Sequence, residues 1–339
     1  MGDYDVPVQP AKERDVRRIR NTAALTLAAL VTTVSISACD LFSGDPSNEV
    51  LGPRESLRIA VTSAIDTAGL RIGVKDGVFD RAGLDIELVE QPTEQAAMGA
   101  LDSGDADLAF GSNTTLLRAA QDGAELELEA EAYQARPYTA AIVSMPGSGY
   151  DEPQDKPQPR IAVDTSTDNA RLSVNSLLSV NGVDPAGVDF VPRDRGDIAE
   201  ALTSGAVDGA WLAEPYLTSI QQELGATVVL DGSSGAMQDY PFSSYATNQS
   251  FANKKGAVLQ RFRQALGEAH SATTPTRVQQ ELPTFAEVDP ATAALVTVGE
   301  YPAQFNQVRV QRVADLMMQY DQLPDRLDVY ELTPAPLRS

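Results

Sequence analysis

The sequence predicts an α/β protein built from two similar lobes, and three observations carry that reading. From residue 57 onward, short strand-like runs alternate with helical patterns, as in mostly parallel sheets covered on both faces. A block of sequence recurs at an offset of 101 to 102 residues. The length, 339 residues, suits two domains of about 150 residues each.

Composition narrows the function. Hydrophobic residues make up 42% and charged residues 22%, as in an ordinary soluble globular protein. Lys and Arg total 26 against 48 Asp and Glu, a net charge of −22, which excludes nucleic acid as a partner. One Cys and one His allow neither an intrachain disulfide nor a Cys/His zinc site. A Ser-His-Asp arrangement would have to use His270, which reads as a charge at the end of a tail helix. No GxSxG, Walker A or GxGxxG segment is present. We therefore expect no catalytic residue, no metal ligand and no cofactor.

In chain order, Lys12, Arg14, Arg17, Arg18 and Arg20 precede an uncharged stretch from Asn21 to Ala38. A basic region, an apolar run and small closing residues form a secretory signal. Ile36-Ser37-Ala38-Cys39 resembles the lipobox of bacterial lipoproteins. That resemblance implies cleavage after residue 38 and a lipid on Cys39. A plain membrane anchor is the competing reading, since 18 uncharged residues nearly span a bilayer. Removing 1–38 takes away five basic and four acidic residues and leaves −23. Residues 39–56, rich in Gly, Pro and Ser, read as a flexible tether.

Lobe 1 is expected over 57–140. Its strands are LRIAVT, DIELVE, ADLAFGS and LELEAEAY, and its helices run through 70–83, 93–104 and 114–123. Lobe 2 is expected over 141–240, because the pattern restarts there. Arg160–Val163 repeats Arg58–Val61, and 201–211 matches 100–110 at six of eleven positions. Tyr138–Ser144 and Phe242–Asn248 read as strands at the joints between lobes, the second returning the chain to lobe 1. The remainder, 241–339, carries helical patterns at 257–270, 290–301 and 310–323, with Met317 and Met318 in the core.

Open parallel sheets bind ligands beyond the carboxyl ends of their strands. That rule selects Ser63, Asp66 and Thr67 after the first strand, and Ser112 and Asn113 after the third. In lobe 2 it selects Thr165, Ser166, Asp168 and Asn169, then Glu214 and Tyr216; Tyr133 lies near a joint. Asp66 and Asp168 can meet an amine or a protonated ring, or simply cap the helices that follow. Two ionised carboxylates there would oppose a bare anion such as nitrate. A zwitterion such as taurine, or a neutral amino-pyrimidine, would suit both them and the helix N-termini. The small hydroxyl and amide groups suit sulfonate oxygens or ring nitrogens, or serve only as turn residues. Glu214 binds ligand or bridges the lobes. Trp211 reads as core, and the tyrosines as packing or ring-stacking groups.

The stretches LRIAVTSAIDTAGLRIGVKDGVFDRAGLDIELVE, ALDSGDADLAFGSNT, RIAVDTSTDNARL and ALTSGAVDGAWLAEPYL, in that order, resemble the solute-binding lipoproteins of ABC importers. The likeness is to the sulfonate/nitrate/taurine and thiamine-precursor group. It includes Trp211-Leu-Ala-Glu214-Pro215-Tyr216, although the usual run places Trp directly before Glu-Pro-Tyr. It also departs in the first loop, where Ala64-Ile65-Asp66 replaces a Gly-containing turn. The resemblance implies a type II periplasmic-binding fold that closes on a small molecule. It further implies an ABC permease and its ATPase as partners, and a monomer held by its lipid at the outer face of the cell membrane. The competing functions are an enzyme on the same fold, such as a chorismate-dehydratase-like lyase, and a ligand sensor for a membrane partner.

Overall fold

A computed structural model of the chain describes residues 54–166 and 169–334. The signal segment, Cys39 and Asp168 lie outside the described residues, as does all but the end of the tether.

The first sheet begins with β1 (Glu55–Val61), where Leu57, Ile59 and Val61 alternate toward one buried face. Helices α1 (Ala68–Lys75) and α2 (Val78–Arg81) follow. The sequence predicts one helix over 70–83, but Gly77 takes φ +68°, a left-handed turn that splits it. Then come β2 (Leu84–Glu90), α3 (Glu94–Ser103), β3 (Leu108–Ser112), α4 (Asn113–Gln121) and β4 (Leu126–Gln134). Thr93 caps α3 by accepting the Ala96 N–H at 3.1 Å, and Ser112 caps α4 through the Thr115 N–H at 3.3 Å.

The chain then crosses to a second sheet. It contains β5 (Ala140–Ser144), β6 (Arg160–Asp164), β7 (Asp189–Arg193), β8 (Gly209–Ala213) and β9 (Thr227–Asp231). Helices α5 (Ala170–Val180), α6 (Ile198–Thr203) and α7 (Tyr216–Leu224) connect them. A second crossing brings β10 (Pro241–Asn248) back into the first sheet.

Both sheets have the same plan. The orders are β2-β1-β3-β10-β4 and β7-β6-β8-β5-β9. In each, the fourth strand is the one that has just arrived from the other lobe, and it runs antiparallel to both neighbours. The repeat seen in sequence is a repeat in structure. Gly104 and Gly205 close α3 and α6 with φ of +78° and +70°, and each donates its N–H to the carbonyl three residues back at 3.2 Å. Two α/β lobes joined by two chain crossings are the result.

The tail holds α8 (Gln249–Ala272), α9 (Pro275–Glu281), α10 (Pro290–Ala293) and α11 (Gln307–Gln319). Phe262 and Leu266 of α8 cover Leu57, Ile59 and Val61 of the first sheet. The predicted helix over 290–301 ends at Ala293. Beyond it the backbone bridges to the edge of β4, where Gln134 and Glu300 exchange both N–H···O bonds at 2.9 and 3.0 Å. Met317 is buried, but Met318 faces out at 41% exposure. His270 also departs from its predicted role. It is 3% exposed, and burial pushes its pKa down to about 4, so it carries no charge at neutral pH. No helix among the described residues is long and apolar enough to cross a membrane.

Candidate functional site

The carboxyl ends of the strands in both sheets open onto one cavity of about 270 Å³. The turn after β1, the end of β3 and the start of α3 form its lobe-1 wall. The ends of β6 and β8 and the turn after β7 form the lobe-2 wall. Aromatic rings line it from both sides: Phe110, Tyr133 and Phe242 on lobe 1, Trp211 and Tyr216 on lobe 2. Tyr133 stacks on Phe242 with centroids 6.4 Å apart and meets Tyr301 at 5.1 Å, which fixes that side of the wall.

Lobe 1 presents two carboxyl groups. Asp66 lies on the turn after β1 and accepts the Ser243 hydroxyl through Oδ2 at 2.6 Å. Burial raises its pKa to about 6, against the pull of that hydrogen bond. Glu94, the first residue of α3, is 5% exposed. Its Oε2 accepts from Ser112 Oγ at 2.6 Å and Thr115 Oγ1 at 2.5 Å. Burial, with the nearby Asp66 charge adding to it, lifts Glu94 to about 7.

Lobe 2 presents one cation. Arg195 donates from Nε to Asp164 Oδ2 at 2.9 Å and from one Nη to Ser166 Oγ at 3.3 Å. Tyr216 donates its hydroxyl to the Arg195 carbonyl at 2.7 Å and holds that turn in place. Glu214 is buried and fully engaged. It accepts from Thr218 Oγ1 at 2.7 Å, from the Thr218 N–H at 3.1 Å, and from the Thr297 N–H of the tail at 2.9 Å. Burial still leaves its pKa above the ordinary carboxylate value. The lining thus holds five carboxyl groups (Asp66, Glu94, Asp164, Glu214, Glu287) and one guanidinium. Among the described residues, no cluster of three or more His, Cys, Asp or Glu could hold a metal ion.

Of the residues selected from sequence, Ser63, Asp66, Ser112, Tyr133, Asn169, Glu214 and Tyr216 line the cavity. Four do not, each for a local reason. Thr67 is fully buried and donates to the Ala64 carbonyl at 2.8 Å while accepting from Arg71. Asn113 turns inward, giving Nδ2 to the Pro241 carbonyl at 2.8 Å and taking the Ser244 hydroxyl at 2.7 Å. Thr165 donates to Asp194 at 2.9 Å. Ser166 bonds through its N–H to Asp164 at 2.9 Å and stands behind Arg195. Trp211 is buried as predicted, at 4% exposure, but one side of it is cavity wall. Sequence reasoning missed Glu94 and Arg195, whereas Asp164 opens the 164–169 loop that the strand-end rule selects. Glu94 and Arg195 lie just past the ends of β2 and β7, the edge strands, where the strand-end rule also points.

The residues 64–276 match the family model described as NMT1/THI5 like, more than half of the chain. The chain belongs to that family. No curated protein matches it significantly in sequence. Among solved structures, it is similar to the alkanesulfonate-binding protein SsuA from Xanthomonas axonopodis pv. citri bound to MOPS. That match has a TM-score of 0.69 and 19% identity, over 83% of this chain and 98% of that one. The periplasmic aliphatic sulphonate binding protein SsuA from Escherichia coli gives 0.68 and 20%, over 82% and 96%. The periplasmic nitrate-binding protein NrtA from Synechocystis PCC 6803 gives 0.65 and 14%, over 82% and 86%. At these identities the shared property is the fold: two α/β lobes of the periplasmic-binding type.

Proposed function

We propose that the chain is the extracytoplasmic solute-binding protein of an ABC importer. It captures a small polar organic solute bearing an amino group between its lobes and hands it to a permease energised by an ATPase. The supporting observation is the acidic lobe-1 wall: Asp66 and Glu94 face the cavity, and the lining's one guanidinium is already paired to Asp164. Of the ligands consistent with the fold family, a taurine-like zwitterion or an amino-pyrimidine fits that wall better than nitrate or a plain sulfonate. A cavity of this size suits a single ring or a short chain.

The same reading assigns 1–38 to a signal peptide and 39–56 to a lipid-anchored tether on Cys39. Lobe 1 is then 57–140 and lobe 2 is 141–240. The segment 241–339 returns to lobe 1 and adds the C-terminal helices. The protein works as a monomer at the outer face of the cell membrane and performs no chemistry on its ligand.

Thermal melting of the full chain tests the capture. The panel is taurine, alkanesulfonates, nitrate, amino-pyrimidines and polyamines. A ligand at about 100 times its Kd stabilises by roughly 2.7 kcal/mol, a visible rise in Tm. Recovery of the ligand unchanged by mass spectrometry separates binding from a lyase on the same fold. Stabilisation by nitrate or plain sulfonates alone would overturn the amino-bearing class.

A further inference from the structure

The cavity's polar groups divide into those already engaged and those open to a ligand. All three hydrogen bonds to Glu214 come from protein donors. Asp164 uses one oxygen on the Ser166 N–H and the other on Arg195. Glu94 differs. Both of its hydroxyl donors bond to Oε2, so no side-chain donor among the described residues holds Oε1, and the carboxyl group lines the cavity. A ligand N–H that reaches that oxygen from the cavity makes a charge-assisted hydrogen bond. On the opposite wall, Arg195 uses Nε and one Nη, and its Nη1 has no protein partner among the described residues.

These two open groups occupy equivalent positions. Glu94 follows β2, the edge strand of the first sheet, and Arg195 follows β7, the edge strand of the second; they are 101 residues apart, the offset of the repeat. One acceptor and one donor therefore face a single cavity from matching points of the two lobes.

We propose that Glu94 and Arg195 give the cleft a direction: the ligand's amino group binds lobe 1 at Glu94, and its electron-rich end binds lobe 2 at Arg195. Glu94 is the residue that selects for the amino group. This deepens the importer reading above and rests on it. An ammonium or amino N–H on a carboxylate is a charge-assisted hydrogen bond, and it strengthens in a site closed to water. A ligand held by both ends also requires both lobes at once, which couples recognition to closure.

Calorimetric titration of the full chain with two matched pairs tests the direction. The pairs are taurine against ethanesulfonate, and 4-aminopyrimidine against pyrimidine; each differs by one amino group. The wild-type chain should favour the amino member of each pair by roughly ten- to a hundredfold. In Glu94→Gln both preferences should fall toward unity. The amide oxygen still accepts from Ser112 and Thr115, and a cooperative melt verifies the fold. In Arg195→Gln both sulfonates should weaken together, while the preference for 4-aminopyrimidine over pyrimidine persists. A folded Glu94→Gln chain that keeps the wild-type preferences overturns the proposal alone, as does a wild-type chain that binds both members of each pair equally. Silence of the wild-type chain toward all four probes overturns the amino-bearing ligand class and this proposal with it.

Discussion

Glu94 and Arg195 stand 101 residues apart at the same point of two repeated lobes, opposite in charge and facing one cavity. The repeat has kept the backbone plan and diverged at these two cavity-lining residues. Where the two copies serve the fold, they remain alike: Arg58 grips Asp107 as Arg160 grips Asp208, with backbone N–H to Oδ2 at 2.8 Å in both. The second contact, Nη2 to Oδ1, is 2.8 Å in one and 2.9 Å in the other.

The carboxyl pair in lobe 1 makes ligand-free stability depend on pH. Glu94 titrates near 7 and Asp66 near 6 in the folded chain, both raised by burial. A raised carboxyl pKa means that the folded state holds protons the unfolded chain has already released. The contribution is full below the unfolded value and is lost as pH rises to the folded one. For Glu94 the loss between pH 4.5 and 7 is on the order of 3 kcal/mol. We expect Glu94→Gln to gain on the wild type in Tm as pH rises from 5 to 8, without ligand. Parallel pH profiles for the two chains would show that Glu94 titrates as an exposed carboxylate.

His270 acts in the opposite sense. Its Nδ1 bonds to the Pro302 carbonyl at 2.8 Å, which places the neutral ring's proton on that nitrogen. Its pKa falls to about 4, so folding opposes a charge that the unfolded chain acquires below 6.5. Stability from this group is full above pH 6.5 and is lost toward pH 4, a change of roughly 3 kcal/mol. In His270→Gln that acid-side loss should disappear, although the variant is less stable at pH 7 through poorer packing. Urea titrations at pH 7, 6, 5 and 4 measure the difference in slope; equal slopes would mean that the ring is charged in the fold.

The duplicated ion pair predicts unequal costs for the same substitution. Lys156 adds a second cation to Asp208 at 2.6 Å, and among the described residues Asp107 has no counterpart to it. Burial alone would raise the Asp208 pKa, but its Arg160 and Lys156 donors outweigh that and hold it well below the ordinary value. Asp208→Asn should therefore cost more than Asp107→Asn at pH 7, each by roughly 1 to 3 kcal/mol. The excess should vanish when Lys156 is replaced by Met. An excess that survives in the Lys156→Met background would place its origin elsewhere.

These residues also mark what the sequence made legible. Arg58–Val61 and Arg160–Val163, with their Ser-Gly turns at 103–104 and 204–205, carry the repeat in short local windows, and the paired sheets follow from it. The strand-end rule placed Asp66, Ser112 and Glu214 at the cavity because topology fixes where strand ends point. It could not say which way a side chain turns there. Thr67 turns inward onto the Ala64 carbonyl three residues back, and Asn113 onto the Pro241 carbonyl, a tertiary partner 128 residues away. Glu94 resembled an ordinary acidic residue in a first helical turn, and its burial depends on Ser112 and Thr115, 18 and 21 residues away. The stretch 294–301 has a helical pattern but gains more from the edge of β4, which lies 166 residues earlier in the chain.

The proposed lipid attachment at Cys39 predicts a sharp change in partition. With the wild-type signal, the protein should remain with membranes after a high-salt wash. Cys39→Ala should move it to the soluble fraction or leave the signal uncut, because no other thiol in the chain can take the lipid. Mass spectrometry of the processed N-terminus reads both outcomes. A processed chain that stays on the membrane without Cys39 would remove the lipid anchor from the account.

Glu214 predicts a change in shape. It lies in lobe 2 at the end of β8, yet one of its oxygens accepts from Thr297, in the tail segment that bridges β4 of lobe 1. The neighbouring Gly299 N–H bonds to the Tyr133 hydroxyl, so this segment belongs mechanically to lobe 1. The Glu214–Thr297 bond therefore has to break, or carry the tail with it, when the lobes part. Glu214→Ala removes it and leaves the N–H groups of Thr218 and Thr297 without their acceptor, at a cost of roughly 1 to 3 kcal/mol. Glu214→Gln retains one acceptor oxygen and should lie between Ala and the wild type. In small-angle scattering of the ligand-free chain, the radius of gyration should increase in the order wild type, Gln, Ala. Saturating ligand should bring all three back toward the same compact value, because closure then rests on the ligand's own contacts. An unchanged radius in a stable Glu214→Ala chain would assign this carboxylate to packing within lobe 2 and free it from any part in hinge motion.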